Sequence, residues 1–547
     1  MLFAAVVALY APAARLHFIY DDHALVVGPA PGSAGELGRR LVEQFVRRDP
    51  HWDLPYYRPL PRSTYLAQQF AHGNDPRLFH LFNVLLTATA ALLAYALLRT
   101  PAFGVSPGPA WLAGALFAFH PVASSCAYPI SARETLMPAI FVMASLAAFL
   151  RAGGRWYALA VALFAAALLC KEQAAIVPGL FALADALGLS ADAPGRSPRR
   201  WLLRYAPPVA VLAAYAAVRA ALIGGEEHQL ALLEHPSGPL LALLFSLQAL
   251  FAPHRELLYE PRVEVWLSPW RLLLAAAACT ALAVAARRRW PRVRAATLFW
   301  LGWFLLALAP TANLLVQEAR FAERYAFLAW LGPLGVAAAL ASDAWDRPAV
   351  RRGIVAAGAL LLTAYGAISF QRSQYFASDR AFLAQWLRSD PRSAQAHYSY
   401  GQVLVREQRF EEAIGHFRRA LAVNPSFLAH NKLGLALASL DRHAEAVRHQ
   451  RRALRLRPDS AQAHLQLAES LRATGELDEA LLHYRRAIEG EPTLALAHYR
   501  LGLALADSGR REEAEPHLRE AVRLEPALGR NLERRGLRPA GRDPRPH

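Results

Sequence analysis

Residues 78–98 read LFHLFNVLLTATAALLAYALL, a run without a single acid, lysine or arginine. A helix needs about 20 mostly apolar residues to cross a hydrocarbon core, so this run predicts a transmembrane span. Working outward, ten more segments read the same way: 2–18, 110–127, 134–150, 156–172, 174–189, 201–223, 270–286, 296–312, 325–341 and 352–370. The expected fold is therefore all-α, with a polytopic membrane domain of about 11 spans over residues 1–370. A hydrophobic share of 55% agrees with that reading.

Charge sets the orientation. With a cytoplasmic amino terminus, the short inner connections hold Arg99, Arg151, Arg155, Arg196, Arg199, Arg200, the Arg287–Arg294 cluster, Arg347, Arg351 and Arg352. That satisfies the positive-inside rule. The outer loops are then 19–77 and 224–269, the second carrying Glu226, Glu227 and Glu234. The apolar stretch 239–252 is read as a partly inserted outer helix, because a full crossing would put the Arg287–Arg294 cluster outside. The first segment has small residues at Ala11 and Ala13, as before a signal-peptide cleavage site, but no basic leader. Either way Asp21 and Asp22 face outward. An odd span count puts residues 371–547 on the same side, in the periplasm of a cytoplasmic-membrane protein.

A net charge of +17 raises nucleic acid as a partner, yet the arginines form no basic stripe interleaved with aromatics, so none is expected. Lys171 and Lys432 are the only lysines, a composition that suits a GC-rich, bacterial genome. Cys126, Cys170 and Cys279 lie within apolar segments and read as packing residues.

Beyond a linker at 371–392 the pattern changes. Prolines recur at 391, 425, 458, 492 and 526, spaced 34, 33, 34 and 34 residues. Gly401, Gly434, Ala468 and Gly502 share one position, Ala413, Ala446, Ala480 and Ala514 a second, and Ala420, Ala453, Ala487 and Ala521 a third. This period and pattern resemble tetratricopeptide repeats, four of them over 393–527, stacked as a solenoid with a face for a protein or peptide partner. Histidines fill two further columns, His397, His430, His464 and His498, then His416, His449, His483 and His517. Successive repeats stand about 10 Å apart, too far to share a metal ion, so the columns are read as packing and surface residues. No metal site or cofactor is predicted, although a divalent ion is compatible with this chemistry. The Arg- and Pro-rich tail, 528–547, is expected to be disordered.

Ionisable residues at span edges collect on the outer side: Asp21, Asp22, His120, Arg133, Glu134, Lys171, Glu172, Glu323 and Arg324, with Tyr57 and Arg58 on the first outer loop. Charges at a membrane boundary are costly and mark function. A carboxylate can take the proton of an attacking hydroxyl, while Arg or Lys stabilises a departing lipid phosphate. Membrane lipids surround such a site.

The segments IYDDHAL (19–25), YYRPL (56–60), LFHLFNVLL (78–86), FAFHP (117–121), SARETL (131–136), LLCKEQ (168–173) and APTANLLVQEARFAERYAFLA (309–329), followed by the repeats, resemble the transmembrane and TPR repeat-containing (TMTC) O-mannosyltransferases and their bacterial relatives. The resemblance implies a GT-C glycosyltransferase using a polyprenyl-phosphate-linked sugar, mannose by family default, with inversion at the anomeric carbon. It implies Asp21 as base with Asp22 assisting, and Arg133, Lys171 and Arg324 at the donor phosphate. Glu134, Glu172 and Glu323 are then expected to hold those cations, and Tyr57 and Arg58 to line the acceptor path. Ala132 stands where the family has Gly, and Glu134 and the loop VQEARFA also depart from its pattern. Three other readings are a transferase acting on a glycan or lipid acceptor, a non-catalytic membrane-anchored TPR scaffold, and a transporter. A scaffold has no need of costly boundary charges, and a transporter calls for midplane charges in broken helices.

Overall fold

The computed structural model describes residues 1–19, 22, 26, 30–46, 57–195, 197–223, 238–254, 267–311, 322–535 and 537. Among these residues the chain is helical, with no strand. It divides into two compact units, Met1–Ser389 and Asp390–His547.

In the first unit five helices are long and apolar enough to span a bilayer: Pro76–Leu98, Ile130–Phe149, Pro198–Leu222, Pro269–Arg288 and Pro348–Phe376. A sixth arises if Pro107–Phe119 and Pro121–Ala127, bent by 60°, form one span. Shorter apolar helices occupy Leu2–Arg15, Gly154–Cys170, Pro239–Phe251 and Leu331–Asp343. Length and apolarity thus carry five or six crossings among the described residues, and other expected segments fold as helices below that measure. Proline is one reason, since it removes a helical donor and clashes with the preceding turn. Pro121 follows His120 at the bend, and Pro129 precedes the short turn Ile130–Ala132.

Leu202, Leu203, Val209, Leu273, Leu274 and Leu360 stand exposed along three of the long helices. Hydrocarbon accommodates such faces, whereas contiguous apolar surface of this kind is rare on proteins bathed in water. The interior is aromatic instead: Phe149 stacks on Phe181 at 3.9 Å, and Phe103 lies 4.7 Å from Trp300.

Two features bring distant charges to one place. Helices Arg133–Phe149 and Gly154–Cys170 form a hairpin through Gly153, whose φ of +103° favours glycine. The return puts Arg133 and Glu134 at the same end as Lys171 and Glu172. The last long helix, Pro348–Ser373, is buried chiefly at its final turn, at Ser369, Arg372 and Ser373. There Tyr128 Oη donates to Ser369 O at 3.1 Å, and Ser369 Oγ donates to Phe119 O at 3.1 Å. Helix runs on into residues 371–392: Asp379–Ser389 packs Phe382, Leu383 and Trp386 inside the first unit.

The second unit is a series of helix pairs, from Ala394–Arg406 with Phe410–Val423 to Ala495–Asp507 with Arg511–Leu524. Ser393, Ser426 and Ser460 cap first helices by accepting the N–H three residues on. Small residues permit the close approach: a Cβ on Gly401 would lie 2.6 Å from the Phe417 ring. The two histidine columns meet within each repeat. Nδ1 atoms face each other at 3.0 Å (His397–His416), 3.2 Å (His430–His449), 2.9 Å (His464–His483) and 3.2 Å (His498–His517). In three pairs the first ring's Nε2 donates to a proline carbonyl, of Pro391, Pro458 or Pro492. Its Nδ1 is then the acceptor and the second ring the donor. The expected disordered tail opens with a helix, Ala527–Arg534, because Leu532 is fully buried against the last repeat and covers its apolar side.

Candidate active site

Asp21 lies outside the described residues. Asp22 is fully buried: Oδ1 accepts the Ser131 N–H at 2.8 Å and Oδ2 the Ile19 N–H at 3.3 Å. The chain at Asp22 is thereby tied to the turn that opens on Arg133.

Arg133 is also fully buried, in an aromatic cradle with Tyr65 at 4.4 Å and Phe82 at 4.5 Å. It donates to Asn83 Oδ1 (3.1 Å), Thr64 Oγ1 (2.8 Å) and Phe79 O (3.4 Å). The guanidinium is thus spent on the protein's own acceptors and presents no open fork to a phosphate.

Lys171 and Arg324 do converge. Lys171 Nζ lies 5.4 Å and the Arg324 guanidinium carbon 5.6 Å from the ring centre of Tyr325, distances at which a cation and an aromatic ring attract. Lys171 also feels the charges of Arg58, Glu172, Arg324 and Glu134. Five charged groups from four chain segments therefore share one neighbourhood.

The glutamates hold different cations from those expected. Arg58 pairs with Glu134 through Nη1 and with Glu172 through Nη2, the latter at 2.9 Å. Glu323, buried, receives two bonds from Arg372, at 2.7 and 3.1 Å. Arg372, itself fully buried, also donates to Pro121 O (2.9 Å) and His254 O (2.7 Å), so it bridges three segments. Arg58 accordingly faces carboxylates rather than an acceptor path.

His120 is fully buried with both nitrogens engaged: Nδ1 accepts the Val122 N–H at 3.1 Å and Nε2 donates to Leu250 O at 3.0 Å. It caps the bent helix pair instead of lining a substrate path. Tyr57 is buried, its hydroxyl donating to Phe45 O at 3.2 Å. Among the described residues no three His, Cys, Asp or Glu side chains converge as for a metal ion. A cavity of about 600 Å³ bounded by Leu150, Arg151, Trp156 and Ser190 lies at the opposite end of helix Arg133–Phe149. That is roughly 25 Å from Arg133.

Arg372 and the Asn83–Thr64–Tyr65 cradle escaped the sequence reading, whereas Tyr325 stands with Glu323 and Arg324 at the edge of an expected span. Asn83 alone left a trace, as a polar residue within the run 78–98.

The chain is thus of a class that joins an apolar helical unit, with several helices fit for a membrane, to a repeat array. Tetratricopeptide repeat families match residues 374–427, 401–461 and 495–528, and a TPR repeat family matches 468–509. Part of the chain is similar to TMTC proteins. It is 28% identical over 203 residues to "Protein O-mannosyl-transferase TMTC4" of Homo sapiens, a match covering 31% of this chain and 26% of that protein. To "Protein O-mannosyl-transferase Tmtc1" of Drosophila melanogaster it is 28% identical over 194 residues, 33% of this chain and 21% of that one. The matches therefore span about a quarter of those relatives' length or less. Among solved structures, the TPR protein YrrB is 27% identical, with 33% of this chain and 90% of that chain covered at a TM-score of 0.27.

Proposed function

We propose that this protein is an integral membrane glycosyltransferase that moves a sugar, mannose by the relatives' names, from a polyprenyl phosphate to a hydroxyl of an exported protein. The convergence of Lys171 and Arg324 on Tyr325 carries the reading. In the reaction the acceptor O–H gives its proton to Asp21 as its oxygen attacks the anomeric carbon. The bond from that carbon to the phosphate oxygen breaks, and the lipid phosphate leaves with its electron pair. Lys171 and Arg324 meet the charge that develops there. One displacement without an enzyme nucleophile inverts the anomeric centre. Asp22 holds the first loop against Ser131, and Arg133 braces the same turn from below.

The repeat array recruits the acceptor protein or peptide. Both it and the site lie on the extracytoplasmic side of the cytoplasmic membrane. The test is transfer by the purified full chain in liposomes, supplied with polyprenyl-phosphate mannose and a Ser/Thr peptide. Product with inverted linkage supports the reading, and its absence together with absence of donor consumption rejects it. A periplasm-active reporter fused after residue 375 reads the side independently.

A further inference from the structure

The four histidine pairs of the repeat unit share one construction. Both rings of a pair come from the same repeat, and their Nδ1 atoms face each other at 2.9–3.2 Å. In repeats one, three and four the first ring's Nε2 lies 3.1, 2.9 and 3.2 Å from the carbonyl of Pro391, Pro458 and Pro492. Its proton therefore sits on Nε2, and its Nδ1 lone pair points at the second ring. A ring N–H anchored on a backbone carbonyl is how a metal-ligating histidine is held in its tautomer. The second ring has a glutamate four residues earlier in every repeat: Glu412, Glu445, Glu479 and Glu513. His483 Nε2 stands 3.7 Å from Glu479 Oε1, and His416 and His517 feel the charges of Glu412 and Glu513.

With one proton shared between the rings, the Nε2 of His483 turns a lone pair toward the Glu479 carboxylate. A cation in place of that proton removes the conflict. The proton moves to Nε2 on the glutamate's side, and two neutral imidazoles present Nδ1 to the ion with no net release of protons. Tetrahedral Zn²⁺, about 2.0–2.1 Å from each nitrogen, sets the two about 3.4 Å apart. The gaps in the structure fall short of that by a few tenths of an ångström, which small ring rotations supply. His397, His430 and His498 are buried, whereas His416, His449, His483 and His517 are half-buried, so solvent reaches each pair from the second ring. Apolar side chains would fill the same space without desolvating four nitrogens per pair. Imidazole suits borderline transition metals rather than Mg²⁺ or Ca²⁺, which take oxygen.

Independently of the transferase reading, we infer that each repeat binds a divalent transition-metal ion of the zinc class between its two histidine Nδ1 atoms, leaving two coordination positions to water or to a side chain of a bound partner. Arg451 holds Glu479 at 2.7 Å, so that carboxylate orients its histidine and stays outside the coordination. Repeat two differs: His430 follows Pro425 by five residues, where its counterparts follow their prolines by six. The anchoring carbonyl bond has no counterpart there among the described residues, and the His430–His449 site is expected to be about 10–100-fold weaker.

The experiment titrates the full chain in detergent, free of added histidines and stripped by chelator, with ZnCl₂ by calorimetry. The comparison is His416→Gln/His449→Gln/His483→Gln/His517→Gln, which takes one ring from every pair, with thermal melts to confirm folding. The natural chain is expected to bind about three more ions tightly than this variant, and a fourth at least about tenfold more weakly. Co²⁺ is expected to give the visible absorption of a tetrahedral centre at these sites in the natural chain and not in the variant. Equal ion counts in the two proteins overturn the inference, since the pairs would then serve as hydrogen-bonded packing alone. If the fourfold variant fails to fold, His483→Gln decides: about one tight ion fewer supports the inference, and an unchanged count overturns it.

Discussion

The carboxylate of Asp22 accepts the backbone N–H of Ser131 at 2.8 Å, which locks the chain after the first helix to the turn two residues ahead of Arg133. An amide at position 22 would put an NH₂ group against one of two N–H donors. Asp22→Asn is therefore expected to cost about 1–3 kcal/mol of stability and to lose transfer with it. Asp21→Asn is expected to abolish transfer while leaving the melting temperature unchanged. Parallel melts and transfer assays separate the two, and transfer surviving in Asp21→Asn would remove that residue as base.

Arg372 and Glu323 form the most enclosed ion pair among the described residues, with side-chain exposures of 0% and 2%. Removing one partner leaves a buried charge uncompensated, so Arg372→Met is expected to destabilise by about 3–5 kcal/mol. The double change Arg372→Met/Glu323→Leu is expected to recover most of that loss. Thermal melts in one detergent give the comparison, and a double variant no better than the single would mean that the Pro121 and His254 contacts dominate.

The paired histidines make the repeat unit acid-sensitive. Burial, with the partner ring and nearby arginines adding, lowers His416 and His449 to about 4, and His397, His430, His464, His483 and His517 also lie below the ordinary value. The unfolded chain, with histidines near 6.5, takes up protons first. Their contribution is therefore complete above about pH 6.5, declines as pH falls toward 4, and levels off below. Discounted for partial solvent screening, the loss is of order 1 kcal/mol in each of the first two repeats. Hydrogen exchange in helix Phe410–Val423 between pH 7.5 and 4 measures it, and His397→Gln/His416→Gln should flatten the dependence there.

Two glycines of the first repeat are expected to respond in opposite directions. Gly401→Ala drives a methyl to within 2.6 Å of Phe417 and should cost about 1–3 kcal/mol. Gly415, in helix Phe410–Val423, has nothing within 4 Å of a built Cβ, so Gly415→Ala should stabilise by about 0.5–1 kcal/mol. Melts of both variants check the pair.

The repeat array was legible because its prolines and small residues are local signals that recur. The apolar helices were legible by composition, but their number was not, since proline breaks and short helices separate apolarity from length. At the site, the dipeptides Arg133–Glu134, Lys171–Glu172 and Glu323–Arg324 stood out by cost at a membrane edge. Their pairing did not, because which arginine reaches which carboxylate is decided by the hairpin at Gly153 and the final turn of helix Pro348–Ser373. Arg372 at the end of an apolar helix looks like any side chain reaching for the interface. The histidine columns carried a usable clue: both recur at a constant offset of 19 residues, which relates partners inside one repeat, whereas comparing successive repeats hides it.

Each imidazole finds its mate inside its own helix pair, so a whole unit can be copied or deleted without orphaning a ring in its neighbour. Lineages are then free to lengthen or shorten the array by tandem duplication, adjusting reach without redesigning the joint.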